Sequence, residues 1–446
     1  MKQKKLFQKY TLKAVENEQI QQKIDFATSK YYQAQEKGYK KFKNFEAARE
    51  YISKIKTEVL ENYTEYFNTF KKNFLKKNGK ILYAENAEQA QKQILGILLE
   101  HNVKTIVKSK SMATEEIELN HFLEKNKIEV WETDLGEFIV QIAEEKPFHI
   151  ISPALHKSKQ DVIKLYKEKF NIQGEPSINE ITEFTRNFLR KKFYNAQAAI
   201  TGANFLIADI GAIALTENEG NALLAFSLPK IHIIIAGYEK LIPSYKNLPL
   251  LWQTIAYRGT GQHITSYNSI ISPSNDKKTY LILLNNGRKK ILENEFDRQI
   301  FKCLRCGACF YYCPVYKSIG GHSYNTVYGG PMGIILSPLL FGLKEYGHLS
   351  YACTLCNKCT EICPAKIPLT DMILEIRARY VEQKYTPPTE RLLMKLFAIF
   401  GTKRFLFNLN NHIKNFFTKP VISFLWGKKR TFPNFKKSFV KEYGKK

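Results

Sequence analysis

Nowhere in the 446 residues is there a run of about 18 uncharged apolar side chains, the length a helix needs to cross a bilayer. The nearest approach, NALLAFSLPKIHIIIAG from Asn221 to Gly237, is interrupted by Pro229 and Lys230. A secretory signal is missing too, since MKQKKLFQKYTLKAVENEQ carries charge but neither an apolar core nor a small-residue cleavage site. A cytoplasmic location is therefore expected. No glycine-rich dinucleotide fingerprint lies between a strand and a helix, so flavin is not indicated. Helix-turn-helix, RNA-binding and helicase motifs are also lacking, which makes nucleic acid an unfavoured partner despite the basic charge.

Acidic residues are scarce at the two ends. The chain has 68 Lys and Arg against 42 Asp and Glu, a net charge of +26. Residues 1–80 hold 19 basic and 9 acidic side chains and residues 377–446 hold 17 and 3, so the middle is close to neutral. Such ends fit an acidic protein or an anionic membrane surface, or are simply a solvated lysine-rich face. With 44% hydrophobic residues the chain is too apolar for disorder and long enough for two globular units.

Residues 1–80 show no strand alternation, and the apolar spacing of Phe45–Leu60 predicts a helix, so a basic helical lead-in is expected. From Ala87 the pattern alternates: helix 87–102, strand 103–109, helix 113–126, strand 128–134, then helix 135–145 behind a capping Asp134. Strand 148–152 and helices within 158–171 and 177–199 continue the series. This alternation predicts a mostly parallel sheet covered by helices. ANFLIADIGAIALT, broken at Gly211, the turn 217–221, and the runs IHIIIA and YLILLN predict an antiparallel or mixed extension of the same sheet. The turn Asn285-Asn286-Gly287 closes an α/β domain at 81–290, followed by a cysteine domain at 291–385 and a basic C-terminal region at 386–446. Leu369, Met372, Ile373 and Ile376 have helical spacing ahead of the breaker pair Pro387-Pro388. The basic, aromatic remainder reads either as a tail that lies on a surface or as a helix packed back with its lysines outward.

All eight cysteines fall between positions 303 and 363. Cys303, Cys306, Cys309 and Cys313, followed by Pro314, form C-x2-C-x2-C-x3-C-P, and Cys353, Cys356, Cys359 and Cys363, followed by Pro364, repeat it. In a reducing compartment cysteines so spaced are metal ligands rather than disulfides. Structural zinc usually uses separated pairs, whereas this triple-plus-one run is that of cubane 4Fe-4S clusters. Because the fourth cysteine of each run ligates the other cluster in two-cluster ferredoxins, the expected sets are Cys303, Cys306, Cys309 and Cys363 for cluster 1 and Cys353, Cys356, Cys359 and Cys313 for cluster 2. The 39 residues between the runs exceed a compact ferredoxin and suggest a helical ferredoxin domain. Fully thiolate-bound clusters serve electron transfer, although structural clusters are the alternative. His322, close by in sequence, is expected to be a loop histidine bonded to backbone.

The segments 108–142, HIISPALHKSKQDV, TGANFLIADIGAIALTENEGNA and IFKCLRCGACFYYCPVYKSIGGHSY together resemble the lactate utilisation protein B family of LUD-domain iron-sulfur proteins, over roughly residues 60–440. The resemblance implies an α/β LUD domain, similar to the CoA-transferase and sugar-phosphate-isomerase fold, joined to an α-helical ferredoxin domain with two 4Fe-4S clusters. It implies a component of L-lactate oxidation to pyruvate that works with a cysteine-rich partner and a smaller LUD-domain partner. Asp209-Ile210 stands where relatives show Glu-Thr, which keeps a carboxylate and loses a hydroxyl. Some relatives carry serine where Cys353 stands, so the second cluster is expected to be complete here.

Within the LUD segment, Gly211 and Gly220 permit positive φ or close backbone approach. Asn204, Asp209, Glu217, Asn218, Glu219 and Asn221 bring amides and carboxylates onto loops at strand ends, where a rigid α/β sheet usually binds ligands. The competing reading is turn-forming and capping residues. Lys108, Lys110 and Ser111 offer either an anion site at the next helix or a solvated lysine pair. The functional expectation is an iron-sulfur electron-transfer subunit. The alternative is a LUD enzyme that binds a small acid or acyl donor, with the clusters as redox sensor.

Overall fold

The structure is a computed structural model that describes residues 2–39, 42–403 and 415–416. Two compact units divide the chain at Ala378 and Arg379. Everything below that concerns the clusters and the sheet belongs to the first.

Ten strands build two sheets: β1 (Lys80–Ala84), β2 (Thr105–Lys108), β3 (Glu129–Glu132), β4 (Ala198–Thr201), β5 (Phe205–Ile207), β6 (Ala212–Glu217), β7 (Ile231–Gly237), β8 (Leu241–Ile242), β9 (Tyr267–Ile271) and β10 (Lys278–Leu284). The first sheet has the order β1-β10-β7-β4-β2-β3 and is parallel throughout. Both of its faces are covered, which is why its central strands read as unbroken apolar runs. Alternate residues go to opposite faces. Ile231, Ile233 and Ile235 meet the helix Ala87–Glu100 through Ile94 and Ile97, while Ile234 and Ala236 join Phe70 and Phe74 of the helix Tyr63–Lys76. Further along the second face, Val107 and Ala199 pack under Phe138, Ile163, Tyr166 and Leu189 of three more helices.

Four expectations are corrected. The helix predicted over 177–199 ends at Asn195, and Ala198–Thr201 becomes β4, fully buried between β2 and β7. Residues 148–152 are not a strand: His149 turns inward and its Nδ1 accepts from the backbone N–H of Ile151 (3.1 Å) and Ser152 (3.2 Å), which curls the chain. IHIIIA and YLILLN are strands of the main parallel sheet, and the hairpin β5–β6 belongs instead to a separate mixed sheet, β8-β5-β6-β9. The helix predicted over 113–126 is broken at Glu118, which has a positive φ, into Met112–Glu116 and Leu119–Lys125. The hairpin turns at Gly211, whose φ is +55° and where a Cβ would lie 2.3 Å from the Phe74 amide nitrogen.

The cysteine region folds as short helices around Gly330–Phe341 and shares a core with the second sheet and with Ile52 and Leu60 of Phe45–Glu61. The N-terminal helices Lys2–Glu16 and Glu18–Tyr39 also pack against it. Tyr31 stacks on Tyr311 at 4.8 Å, Phe7 lies against Tyr324, and Gln21 donates to the Ser318 carbonyl at 2.7 Å. The helix expected after Cys363 is Leu369–Glu382. Pro388 then opens another, Pro388–Thr402, with proline at its first turn where no N–H is needed. Most of the basic tail beyond 403 lies outside the described residues. Among the described residues no helix is long and apolar enough to cross a membrane.

Candidate electron-transfer site and the adjoining cavity

The two cysteine loops have the same backbone. In each, the second and fourth residues after the first cysteine are left-handed: Arg305 (φ +60°) and Gly307 (+74°), then Leu355 (+55°) and Asn357 (+63°). The N–H of the second residue donates to the first cysteine's sulfur in both, Arg305 to Cys303 Sγ at 3.4 Å and Leu355 to Cys353 Sγ at 3.3 Å. A short helix follows each time, Ala308–Tyr312 and Lys358–Glu361. Asn357 occupies the place of Gly307 because asparagine is among the few side chains that tolerate this conformation. The fourth cysteine leaves the loop: Cys313 caps the helix Pro314–Ile319, its sulfur accepting from the Tyr316 N–H at 3.4 Å.

Cys363 sits with Cys303, Cys306 and Cys309 around one small pocket, closed by Leu304, Phe310, Met332 and Ile367. Cys313 in turn feels the sulfurs of Cys359 and Cys353. Burial pushes the Cys306 and Cys313 thiols up to about 12. Four sulfurs converging in an apolar pocket are thus ill-suited to free thiolates and well suited to thiolates that neutralise a cationic iron-sulfide core. The loops differ in exposure. Cys306 and its neighbours are buried beneath the LUD sheet, whereas Thr354, Cys356, Asn357 and Lys358 face solvent.

Above the buried loop lies a cavity of about 620 Å³, lined by the carboxyl ends of β2, β4 and β7, by the loop after β6, and by Arg305 and Tyr328 of the cysteine region. That placement follows the rule that ligands sit beyond the carboxyl ends of parallel strands. Five of the six loop residues singled out in sequence line it: Asn204, Glu217, Asn218, Glu219 and Asn221. Asp209 does not. Its carboxylate accepts from Ser244 Oγ and the Tyr245 N–H, capping a turn, while the neighbouring Ile210 carbonyl accepts from Lys77. Glu217 accepts from the Ala222 (2.7 Å) and Leu223 (2.8 Å) N–H groups, and Glu219 from Leu135 N–H (3.2 Å). Burial raises the pKa of both, and the charge of Asp134 adds to the effect. The Asn221 amide lies 3.2 Å from Thr133 Oγ1.

Of the lysine group, Lys110 and Ser111 reach the cavity, the Lys110 ammonium donating to the Ile151 carbonyl. Lys108 is buried and committed to Glu132 at 2.6 Å, so it is not an anion receptor. His322 Nε2 meets the Lys146 carbonyl at 2.7 Å, the backbone bond expected of it.

Sequence reasoning missed a second charged group. Arg288, fully buried, forks onto Glu116 (2.6 and 2.7 Å) and reaches Glu239 through Nε (2.9 Å), and Tyr328 donates to Glu116 at 2.6 Å. Burial alone would raise the Glu239 pKa, but Arg288 and Arg305 outweigh it and hold the carboxyl down at about 2. Lys56 donates to the Glu239 and Leu241 carbonyls, and burial lowers its pKa to about 7. Lys240 lines the cavity; burial lowers its pKa to about 8, and the Cys303 sulfur is among the charges acting on it. The available signal was the pair Glu239-Lys240 directly after the apolar run IHIIIAG, at a parallel strand's carboxyl end.

An α/β sheet with a cavity at its strand ends, bordered by the first of two ferredoxin-type cysteine loops, defines a LUD-domain iron-sulfur protein. Comparison with known proteins agrees: the LUD domain family model matches residues 67–292 and the 4Fe-4S dicluster domain model residues 299–367. Lactate utilization protein B of Bacillus cytotoxicus is 39% identical over 407 residues, covering 90% of this chain and 86% of the relative. The protein of the same name from Bacillus cereus strain AH820 is 39% identical over 395 residues, covering 87% and 83%. A solved DUF162 family protein from Deinococcus radiodurans aligns with 50% of this chain and 98% of its own, at 12% identity and a TM-score of 0.29. The chain belongs to the lactate utilization protein B family and carries two 4Fe-4S clusters in its dicluster domain.

Proposed function

We propose that this protein is the iron-sulfur electron-transfer component of an L-lactate oxidation system, relaying electrons between the LUD cavity and a partner at the exposed cysteine loop. The observation that carries the reading is the matched pair of loops, one buried beside the cavity and the other at the surface. Each cluster, when bound, carries one electron at a time. Cys303, Cys306, Cys309 and Cys363 hold the inner cluster, and Cys353, Cys356, Cys359 and Cys313 the outer one. The polypeptide orients them: backbone N–H groups bond Cys303 and Cys353, and Phe310 and Met332 keep water from the inner pocket.

The partners in this reading are a cysteine-rich protein and a smaller LUD-domain protein of lactate utilisation. The location is cytoplasmic, where eight free cysteines stay reduced, with peripheral membrane contact through the basic C-terminal region. Exposed Leu392, Leu393, Leu396 and Phe397 on the helix Pro388–Thr402 support that contact. The cavity also favours a second reading, in which the LUD domain binds a small acid or acyl donor and the clusters sense redox state. Cys306→Ser separates the two: the relay predicts loss of one cluster and of most lactate-dependent reduction. An unchanged iron count with unchanged reduction would overturn it.

A further inference from the structure

Two histidines and a glutamate meet where the LUD segment touches the connector between the cysteine runs. Glu145 follows the helix Leu135–Ile142, His156 lies on the loop beyond it, and His322 opens a 3-10 turn in the connector. The backbones are in contact there: a Cβ on Gly321 would lie 1.6 Å from the Phe148 carbonyl oxygen, and Tyr316 donates to that same oxygen at 3.1 Å. Phe148 packs against both rings, stacked on His156 at 4.8 Å and edge-on to His322 at 4.9 Å, and the two imidazoles are 4.7 Å apart. Each of the three polar side chains offers one ligand atom, and those atoms all lie within 4.8 Å of one another.

Their hydrogen bonds leave lone pairs to spare. His322 Nε2 faces the Lys146 carbonyl at 2.7 Å, and a carbonyl only accepts, so Nε2 carries the proton and Nδ1 the unshared pair of the neutral ring. Burial, then the charge of His156, lowers the His322 pKa and favours that neutral form. His156 Nε2 meets Glu145 Oε2 at 2.6 Å, while its Nδ1 is buried without a partner on a side chain only 10% exposed. A buried ring nitrogen left that way costs free energy unless something binds it. Both rings are thus held at Nε2 by an acceptor, a carboxylate in one case and a backbone carbonyl in the other, which is how metal-binding histidines are usually oriented. Glu145 keeps its oxygens apart: Lys157 donates to Oε1, so a cation near Oε2 does not displace that ammonium. Lys146 and Lys169 turn elsewhere, to Glu118 at 2.9 Å and Glu144 at 2.7 Å.

We propose that His156, His322 and Glu145 form a site for a divalent transition-metal ion, zinc by its ligand chemistry, and that this ion clasps the connector to the LUD segment. The site stands apart from the clusters and from the relay reading. Two imidazoles and one carboxylate suit zinc and its neighbours, whereas magnesium and calcium take oxygen ligands. The carboxylate offsets part of the ion's charge, and the partly exposed His322 leaves an entry path and room for water as a further ligand. Because the three side chains come from segments far apart in sequence, the ion binds only the folded arrangement and stabilises it.

The test uses the full chain loaded anaerobically with both clusters, and zinc chloride as probe. Zinc and iron are counted after gel filtration, affinity is measured by competition with a chromophoric chelator, and zinc K-edge X-ray absorption reads the ligands. The expected result is one zinc per chain beside about eight irons, with ligands at about 2.0–2.1 Å, imidazole scattering and no sulfur shell at about 2.3 Å. His156→Ala, His322→Ala and Glu145→Gln should each weaken zinc binding at least about tenfold with the iron count unchanged, and excess magnesium should not compete. Zinc should raise the melting temperature of wild type and not that of His322→Ala. Zinc bound through sulfur, zinc that elutes from wild type, or affinity indifferent to both histidine substitutions overturns the site, and displacement by magnesium overturns the metal class. If a histidine variant fails to fold or to take up its clusters, the wild-type absorption spectrum decides: imidazole scattering upholds the site and a sulfur shell overturns it.

Discussion

Replacing Arg288 with methionine is expected to destabilise the cluster-bearing unit by about 3–5 kcal/mol, the usual cost of removing one partner from a buried ion pair. The structure supports the figure independently. Glu239 is held at about 2 against an ordinary value of 4.5, a difference that contributes on the order of 3 kcal/mol at neutral pH. Because the folded pKa is depressed, this stability is fully present above pH 4.5 and is lost as pH falls from 4.5 toward 2. Without Arg288, the carboxylates of Glu116 and Glu239 remain buried, Glu116 still bonded by Tyr328 and Asn286 and Glu239 left with the more distant Arg305. The assay is denaturant unfolding of cluster-loaded protein at pH 7.5, for wild type, Arg288→Met, Glu116→Gln and the double variant. The cycle should show coupling of more than about 1 kcal/mol, because Glu116→Gln removes one of the charges that Arg288→Met strands. A loss below about 1 kcal/mol for Arg288→Met, or simple additivity, would refute the reasoning.

Gly237→Ala should act on the same network, since a Cβ there would lie 2.1 Å from Glu239 Oε2 and 2.3 Å from Arg288 Nε. A cost of about 1–3 kcal/mol, not additive with Arg288→Met, is expected in the same unfolding assay. Unfolding measured across pH should show the stability gap between wild type and Arg288→Met narrowing as pH falls below 4.5, because wild type loses the Glu239 contribution there; a gap that stays constant would contradict the depressed Glu239. Ferricyanide should release iron in two phases, about half of it fast from the loop with exposed Cys356 and the rest slowly from the buried pocket; a single phase would contradict the asymmetry. Cys363→Ser should abolish the slow phase rather than the fast one, although Cys363 belongs to the second motif.

Local signals were legible where local chemistry decides. The two cysteine runs, the capping Asp134, whose side chain accepts from the Glu137 N–H, and the turn at Gly211 are all as read. β4 was hidden because AQAAIT follows a long amphipathic helix and alanine favours helix, whereas the deciding fact is its burial between two distant strands. IHIIIA and YLILLN were recognisable as strands, but sheet membership is a non-local property that no short window carries. Asp209 and Glu217 looked alike as loop carboxylates. Only the fold turns one toward Ser244 and the other into the cavity. Lys240 and Arg305 escaped notice for the same reason, since they come together from segments 65 positions apart.

Electron delivery to the clusters is the claim on which the proposed function stands. The decisive measurement is low-temperature EPR of the anaerobic, fully loaded chain after addition of L-lactate, with and without the cysteine-rich and smaller LUD-domain partners, alongside iron and sulfide analysis. About eight irons per chain, as two cubanes require, and reduced-cluster signals that arise only with lactate and partners together are the predicted result. Full loading with clusters that stay oxidised in every combination, though dithionite reduces them, would contradict it.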